Sequence, residues 1–171
     1  MMLQHNSLTI RSATEKDIDT LCAWWADGAI MAHAGFPNGI TTDKEKLKAQ
    51  IQHQTTEQNL KQLLIIEEKD IPLGEMSYTL KGNVATMGIK ICRQETQNQG
   101  RGKIYLQMLI DYLFNKKNVA TIQVDTMIEN KRAQHVYESL GFQKVRIHED
   151  CWIDQRGRKR TAIEYELRRS I

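Results

Sequence analysis

The sequence predicts an α/β domain built on a mixed, mostly antiparallel central sheet with helices on both faces. Three observations predict it. The elements run strand, two helices, three strands, helix, strand, helix, two strands. Short turn signals at Lys69-Asp-Ile-Pro72 and Lys81-Gly-Asn83 separate the three middle strands, so these pair antiparallel. The strand candidates at 84–92 and 120–125 flank a helix, so they are expected to lie parallel as neighbours, joined by a right-handed crossover. The 171 residues suit one domain, residues 1–171, with a proper core.

Each element has a local cause. Residues 7–11 alternate as a short strand. Thr14 is expected to cap a helix with an acidic first turn, and Ile18, Leu21, Cys22 and Trp25 share its buried face. Residues 26–40 hold three glycines and Pro37 and read mostly as loop. Thr42-Asp-Lys-Glu45 reads as a capping box opening a polar surface helix to about Gln58, with Leu47 and Ile51 as its apolar anchors. Residues 61–68, 73–80 and 84–92 are strands. The helix at 103–116 has large apolar residues on more than one side, so it is expected to be buried. Residues 120–125 are a strand. A helix over 129–140 ends at Gly141, and strands at 142–149 and 161–167 close a hairpin around Asp154-Gln-Arg-Gly157.

Composition excludes several classes. The formal charge of +3 is too small to argue for nucleic acid. Cys22, Cys92 and Cys151 are odd in number and far apart, which indicates neither a disulfide framework nor zinc; they read as reduced thiols of a cytoplasmic protein, and no metal is expected. The first residues show no signal peptide, and no apolar run approaches the roughly 20 residues of a membrane helix.

The chemistry centres on Gly88-Ile-Lys-Ile-Cys-Arg-Gln-Glu-Thr-Gln-Asn-Gln-Gly-Arg-Gly-Lys103, a strand, a polar loop and a helix start. The first N–H groups of a helix lack intrahelical partners, and the aligned peptide dipoles place roughly +0.5 of a charge there. Glycine lets a ligand approach that backbone closely. Gly100 and Gly102, beside Arg101 and Lys103, therefore look like a phosphate seat. The same glycines would also serve a plain strand-to-helix turn. A Walker loop would need glycine at Gln97 and Ser or Thr at Ile104, and a dinucleotide fingerprint would need glycine at Tyr105, so neither fits.

Gln97-x-x-Gly100-x-Gly102 instead resembles the acyl-CoA binding loop of the GNAT acetyltransferases. Asn130-x-x-Ala133-x-x-x-Tyr137-x-x-x-Gly141-Phe142 resembles the helix and strand that follow in that superfamily. The resemblance runs from about Leu8 to Leu167, and it is nearest to the bacterial Rim-type (RimJ/RimL) ribosomal-protein N-terminal acetyltransferases. The chain departs from the common pattern at Gln97, where arginine is frequent, and at Asn98, where glycine is common.

The resemblance implies acetyl-CoA as co-substrate. Backbone N–H groups of Gln99, Gly100, Arg101, Gly102 and Lys103 would meet its pyrophosphate, with Gln97 and Asn98 also in the cofactor-binding loop and Arg101 or Lys103 adding charge outside. It places Ile91, Cys92 and Arg93 along the pantetheine arm, with a backbone N–H at that strand end bonding the thioester oxygen, a contact worth roughly 10²–10³ in rate. Asn130 would bond the pantetheine amide, cap its own helix, or both.

Asn130, Ala133 and Tyr137 share a helix face. A phenol with an ordinary pKa of about 10 can protonate a departing thiolate, so Tyr137 is the general-acid candidate; its bland alternative is a core aromatic. For the base, Glu75 could accept the amine's proton through water, or be a solvent-facing strand residue; Asp125 is a second candidate. Trp24, Trp25, His33 and Phe36 fall where the family often walls its acceptor site, although Trp25 reads as core. His135 is expected to be exposed, and Cys92 to pack rather than act as a nucleophile. Arg156, Arg158, Lys159 and Arg160 make a basic hairpin tip, a solvated turn or a contact for an acidic group.

The expected activity is transfer of acetyl from acetyl-CoA to a primary amine, without an acyl-enzyme. The acceptor is a protein N-terminus, ribosomal by the Rim-type resemblance, or a small amine. The expected partners are acetyl-CoA and that amine, with no nucleic acid or membrane, in a monomer or homodimer. The rival from another class is a CoA-binding sensor or assembly module with no transferase activity.

Overall fold

The layers follow from strand β3 (Lys61–Glu68). Successive side chains of a strand point to opposite faces, yet Leu63, Leu64, Ile65 and Ile66 are all buried. Leu64 and Ile66 join the main core with Tyr105, Leu106 and Leu109 of helix α4 (Arg101–Asn115). Leu63 and Ile65 join a second core with Leu21 of α1 (Ile18–Ala26) and Leu47 and Ile51 of α3 (Lys44–His53). The sheet is thus covered on both faces. The structure, a computed structural model, describes residues 1–54, 60–93 and 100–170.

The remaining strands are β1 (Met2–His5), β2 (Leu8–Ser12), β4 (Ile71–Lys81), β5 (Val84–Ile91), β6 (Thr121–Met127), β7 (Gln143–Ile153) and β8 (Lys159–Arg168). They form one sheet in the order β1-β2-β3-β4-β5-β6-β8-β7. Every neighbouring pair is antiparallel except β5 and β6, which are parallel as expected. Helix α2 (Gly28–Met31) follows α1, and α5 (Lys131–Ser139) joins β6 to β7. No helix among the described residues is long and apolar enough to cross a membrane.

Four expectations need correction. Strand β1 was not foreseen: it is a short edge strand, mostly exposed, with too few inward residues to show a period. The stretch expected as loop at 26–40 holds α2 and a 3-10 turn, Ala32–Ala34, closed by Gly35 at φ +93°. The cap of α3 is Asp43, not Thr42: its carboxylate accepts from the N–H groups of Glu45 and Lys46, and aspartate is the stronger N-cap. Helix α3 ends at His53, and its expected continuation to Gln58 lies outside the described residues. Helix α4 is amphipathic rather than buried all round, because Lys103, Ile104, Gln107 and Asp111 face solvent while Tyr105, Leu106, Leu109, Ile110 and Leu113 face the sheet.

The β5–β6 register pairs are Val84–Thr121, Ala85–Ile122 and Thr86–Gln123, and both strands continue beyond them without pairing. The C-terminal ends of two parallel strands therefore diverge. The gap opens toward the start of α4 on one side and toward α5 on the other.

Candidate active site

Helix α4 begins where the glycines were expected to act. Gly100 caps it in the left-handed region (φ +76°), a conformation that suits glycine. A Cβ on Gly102 would lie 3.4 Å from Cδ1 of Ile91, so the helix start and the end of β5 stand at contact distance. Two bonds fix this first turn on the end of β3. Tyr105 donates from its hydroxyl to the Glu67 carbonyl at 2.6 Å, and Nε of Arg101 meets Oε2 of Glu68 at 2.9 Å. Arg101 therefore has an acidic partner inside the fold, while Lys103 is exposed at the same helix start. Gln97, Asn98 and Gln99 lie outside the described residues.

A groove of about 320 Å³ runs from this turn along the splayed strands, lined among others by Ile91, Gly102, Leu106, Asn130, Val136 and Tyr137. A second cavity of about 300 Å³ adjoins it, lined among others by Glu75, Ser77, Met87, Lys90, Asp125 and Tyr137. The two share Ile30, His33, Ile89, Lys90, Asn130, Ala133 and Tyr137, so Tyr137 stands where they meet.

Tyr137 is only 6 % exposed, and its ring packs on Phe142 and Tyr165 at centroid distances of 5.8 and 5.9 Å. It is therefore the core aromatic of the bland reading and also a wall of both cavities. Its hydroxyl has no hydrogen-bond partner among the described residues. Burial, and then the charge of Asp125, push the phenol up to about 12. Asn130 caps α5 by accepting from the Ala133 N–H at 3.1 Å, and it lines both cavities as well.

Glu75 is not solvent-facing. It is 6 % exposed because β4 is covered on both faces at this point, where Leu73, Gly74, Glu75 and Met76 are all buried. Its Oε1 accepts from Nζ of Lys90, its cross-strand partner, at 2.8 Å, and Oε2 is buried without a partner. Asp125 is exposed and lines the same cavity.

The strand end departs from expectation at Cys92 and Arg93. Both backbone N–H groups donate to the Leu73 carbonyl, at 2.8 and 3.0 Å, so neither is available for a thioester oxygen. Antiparallel pairing alternates the direction of backbone groups. With Cys92 N–H turned to β4, Lys90 and Gly88 turn there too, and the Ile89 N–H turns to the gap that β6 leaves. Gly74 permits the tight approach, since a Cβ there would meet the Lys90 carbonyl oxygen at 2.0 Å. Cys92 is buried, and burial pushes its thiol up to about 12, as befits packing rather than nucleophilic work.

Of the aromatic cluster, His33 reaches the site. Trp24 and Trp25 pack on the second core, and Phe36 packs on Trp152 with ring centroids 5.7 Å apart. His135 is exposed. Sequence reasoning missed Ile30, Met87, Ile89 and Lys90. The pairing of Lys90 with Glu75 was within reach, because the hairpin turn at 81–83 sets their register.

A model of the acetyltransferase (GNAT) domain family matches residues 7–143. A curated relative, the [ribosomal protein bS18]-alanine N-acetyltransferase of Escherichia coli (strain K12), is 37 % identical over 67 residues, 39 % of this chain and 45 % of that protein. The chain thus matches less than half the length of that relative. Among solved structures, spermidine N-acetyltransferase from Vibrio cholerae, in complex with CoA and spermine, superposes with a TM-score of 0.84 at 19 % identity, covering 96 % of each chain. Ribosomal-protein-S5-alanine acetyltransferase from Vibrio fischeri gives 0.81 at 16 % identity, over 98 % of this chain and 96 % of that one. At such identities the likeness is one of fold.

Proposed function

The chain belongs to the GNAT acetyltransferase family, and from that premise we propose that it transfers acetyl from acetyl-CoA to a primary amine by direct attack in a ternary complex. The observation that carries this reading is the position of Tyr137 at the junction of two cavities, one leading to a helix N-terminus and the other to Glu75.

The residues present suit the co-substrate. The first N–H groups of α4, at Gly102 and Lys103, have no intrahelical acceptors and carry the positive end of the helix dipole, which favours a diphosphate. Gly102 keeps the approach to them open. Ile91, Leu106 and Val136 give the groove apolar walls for a pantetheine arm, and Asn130 a polar point along it. Acetyl-CoA, when bound, supplies an activated acyl thioester.

The chain's own groups divide the remaining work. The Ile89 N–H faces the gap and is placed to donate to a thioester carbonyl oxygen. Tyr137 keeps its proton at neutral pH and can release it to a sulfur at the junction. Oε2 of Glu75 can accept a proton from an ammonium in the second cavity, directly or through one water, while Lys90 holds the carboxylate in place. We favour a protein or peptide N-terminus as the acceptor, in line with what the ribosomal-protein relative is named for.

The test is thiol release from acetyl-CoA against a panel of peptides and small amines. Amine-dependent release supports a transferase. Tight CoA binding with no release for any amine would leave a CoA-binding module instead.

A further inference from the structure

The basic hairpin tip has no part in the reaction described above, yet it builds a third cavity. This cavity measures about 310 Å³ and is lined by Arg156, Arg158 and Arg160 together with Glu129 and Asp154. It shares His33, Met127 and Asn130 with the cavity that holds Glu75, so the two adjoin.

Its charges are unevenly matched. Asp154 is buried and already occupied: Oδ1 accepts from the N–H groups of Arg156 and Arg158, and Oδ2 faces Nη1 of Arg160 at 3.0 Å. Glu129 is half exposed, and its carboxylate stands 3.7 Å from Nη2 of Arg160. Three arginines thus line the cavity with two carboxylates, one of them committed to holding the turn, and Nε of Arg156 already donates to Oδ1 of Asn38 at 3.3 Å. Arg160 is 8 % exposed, and its Nε–H is buried with no acceptor. Burying an unpaired polar group is costly, so the described residues leave the Arg160 guanidinium incompletely satisfied beside this cavity. In the Glu75 cavity the balance is reversed, with Glu75 and Asp125 against Lys90.

Adjoining cavities of opposite charge balance select a molecule with both charges. The geometry points to an acceptor whose ammonium precedes a carboxylate: the amine lies in the Glu75 cavity and the carboxylate against Arg158 and Arg160. This deepens the transferase reading and rests on it for the word acceptor. It disfavours polyamines, because their second ammonium would meet the arginines.

The test uses the full chain saturated with CoA and reads binding by calorimetry, not turnover. The probes are C-terminally amidated tripeptides with a free N-terminal alanine, carrying aspartate or lysine at the second or third place, together with a free amino acid and an alkyl diamine. The aspartate peptides are expected to bind at least about 10-fold more tightly than the lysine peptides, with a preference that shrinks as salt rises. The amidated peptides and the free amino acid separate a side-chain carboxylate from a main-chain one. Arg158→Gln should abolish most of the preference and Arg158→Lys restore part of it. The Arg158 side chain is exposed at the turn, so both variants should keep the wild-type melting temperature.

Equal binding of both peptides with no binding of the free amino acid, or tighter binding of the diamine, would overturn the inference. Preferential binding of the acidic peptide without any acetyl transfer would uphold it and sink the transferase reading. Transfer to amines of either charge with equal KM would do the reverse.

Discussion

Glu75 and Lys90 face each other across β4 and β5, with Nζ of Lys90 2.8 Å from Oε1 of Glu75 and Oε2 of Glu75 left without a partner in a buried site. The lysine satisfies half of the carboxylate, and both residues line the cavity beside Tyr137.

Glu75→Gln keeps the shape and removes the base. Its kcat/KM for the preferred amine is expected to fall by about 10²-fold or more at neutral pH, the usual worth of a positioned base. CoA affinity should not change, because Glu75 lines only the second cavity. Part of the loss should return at alkaline pH, where the amine arrives without its proton. A Gln variant as fast as wild type at neutral pH would transfer the role to Asp125 or to no residue.

Tyr137→Phe removes a hydroxyl that bonds nothing else among the described residues, so the fold should tolerate it. The expected loss is about 10²–10⁴-fold in kcat with CoA binding intact. The phenol, raised from its ordinary 10 to about 12 by burial and then by Asp125, stays protonated across the neutral range. A wild-type rate profile should therefore show no phenol limb near pH 10. The stability sign follows: below pH 10 both states hold the proton, and above it the unfolded chain ionises first, so wild type loses stability there and Tyr137→Phe loses less. Rate profiles and urea titrations at pH 9 and 11 are roughly the conditions that check both.

What could be read from the sequence was local. Gly100 and Gly102 announce a turn because left-handed backbone and close approach are properties of single residues; helix spacing put Tyr137 on one face with Asn130, and its candidate role came from the family resemblance. The antiparallel pairing of β3, β4 and β5 and the parallel pairing of β5 with β6 followed from turn chemistry and one crossover helix. The burial of Glu75 could not be read, because it depends on what covers β4 from elsewhere in the chain. The same holds for Arg160, whose partners lie in the turn at Asp154 and beside α5 at Glu129, and for His33, carried into the site by a short helix and turn hidden in a glycine-rich stretch. Which N–H at the end of β5 stays free could not be read either, because the bonds of Cys92 and Arg93 to Leu73 depend on a close approach of β4 at Gly74.

Asp17 anchors the start of α1 away from the site. Its carboxylate takes two 2.8 Å bonds from the guanidinium of Arg11 and one from the Thr14 N–H, and Arg11 also meets Glu67 at 3.0 Å. Burial alone would raise its pKa, but the bonds from Arg11 and Thr14 outweigh it and hold the carboxyl below its ordinary 3.8. A depressed carboxylate stabilises the fold above the unfolded pKa and loses that contribution as pH falls through the folded value. Asp17→Asn is therefore expected to cost about 1–3 kcal/mol at neutral pH, at the lower end because Arg11 keeps Glu67. The gap between the two proteins should close below pH 3.8. Urea midpoints measured across that range decide it, and a gap constant with pH would mean that the charge plays no part.

Gly102→Ala separates folding from binding at the helix mouth. The residue is the second of α4, where alanine is a better helix former than glycine by about 1 kcal/mol. The added methyl would meet only the far end of the Ile91 side chain at 3.4 Å, which can turn aside. The melting temperature should therefore hold or rise by up to about 4 °C. A diphosphate lying on the N–H groups of Gly102 and Lys103 would meet the same methyl head-on. CoA affinity is then expected to drop at least about 10-fold, or about 1.4 kcal/mol. Melting curves and CoA titrations on one preparation read both. Unchanged affinity in a fully folded variant would mean that the phosphates sit elsewhere, and the assignment of this helix start would fall with it.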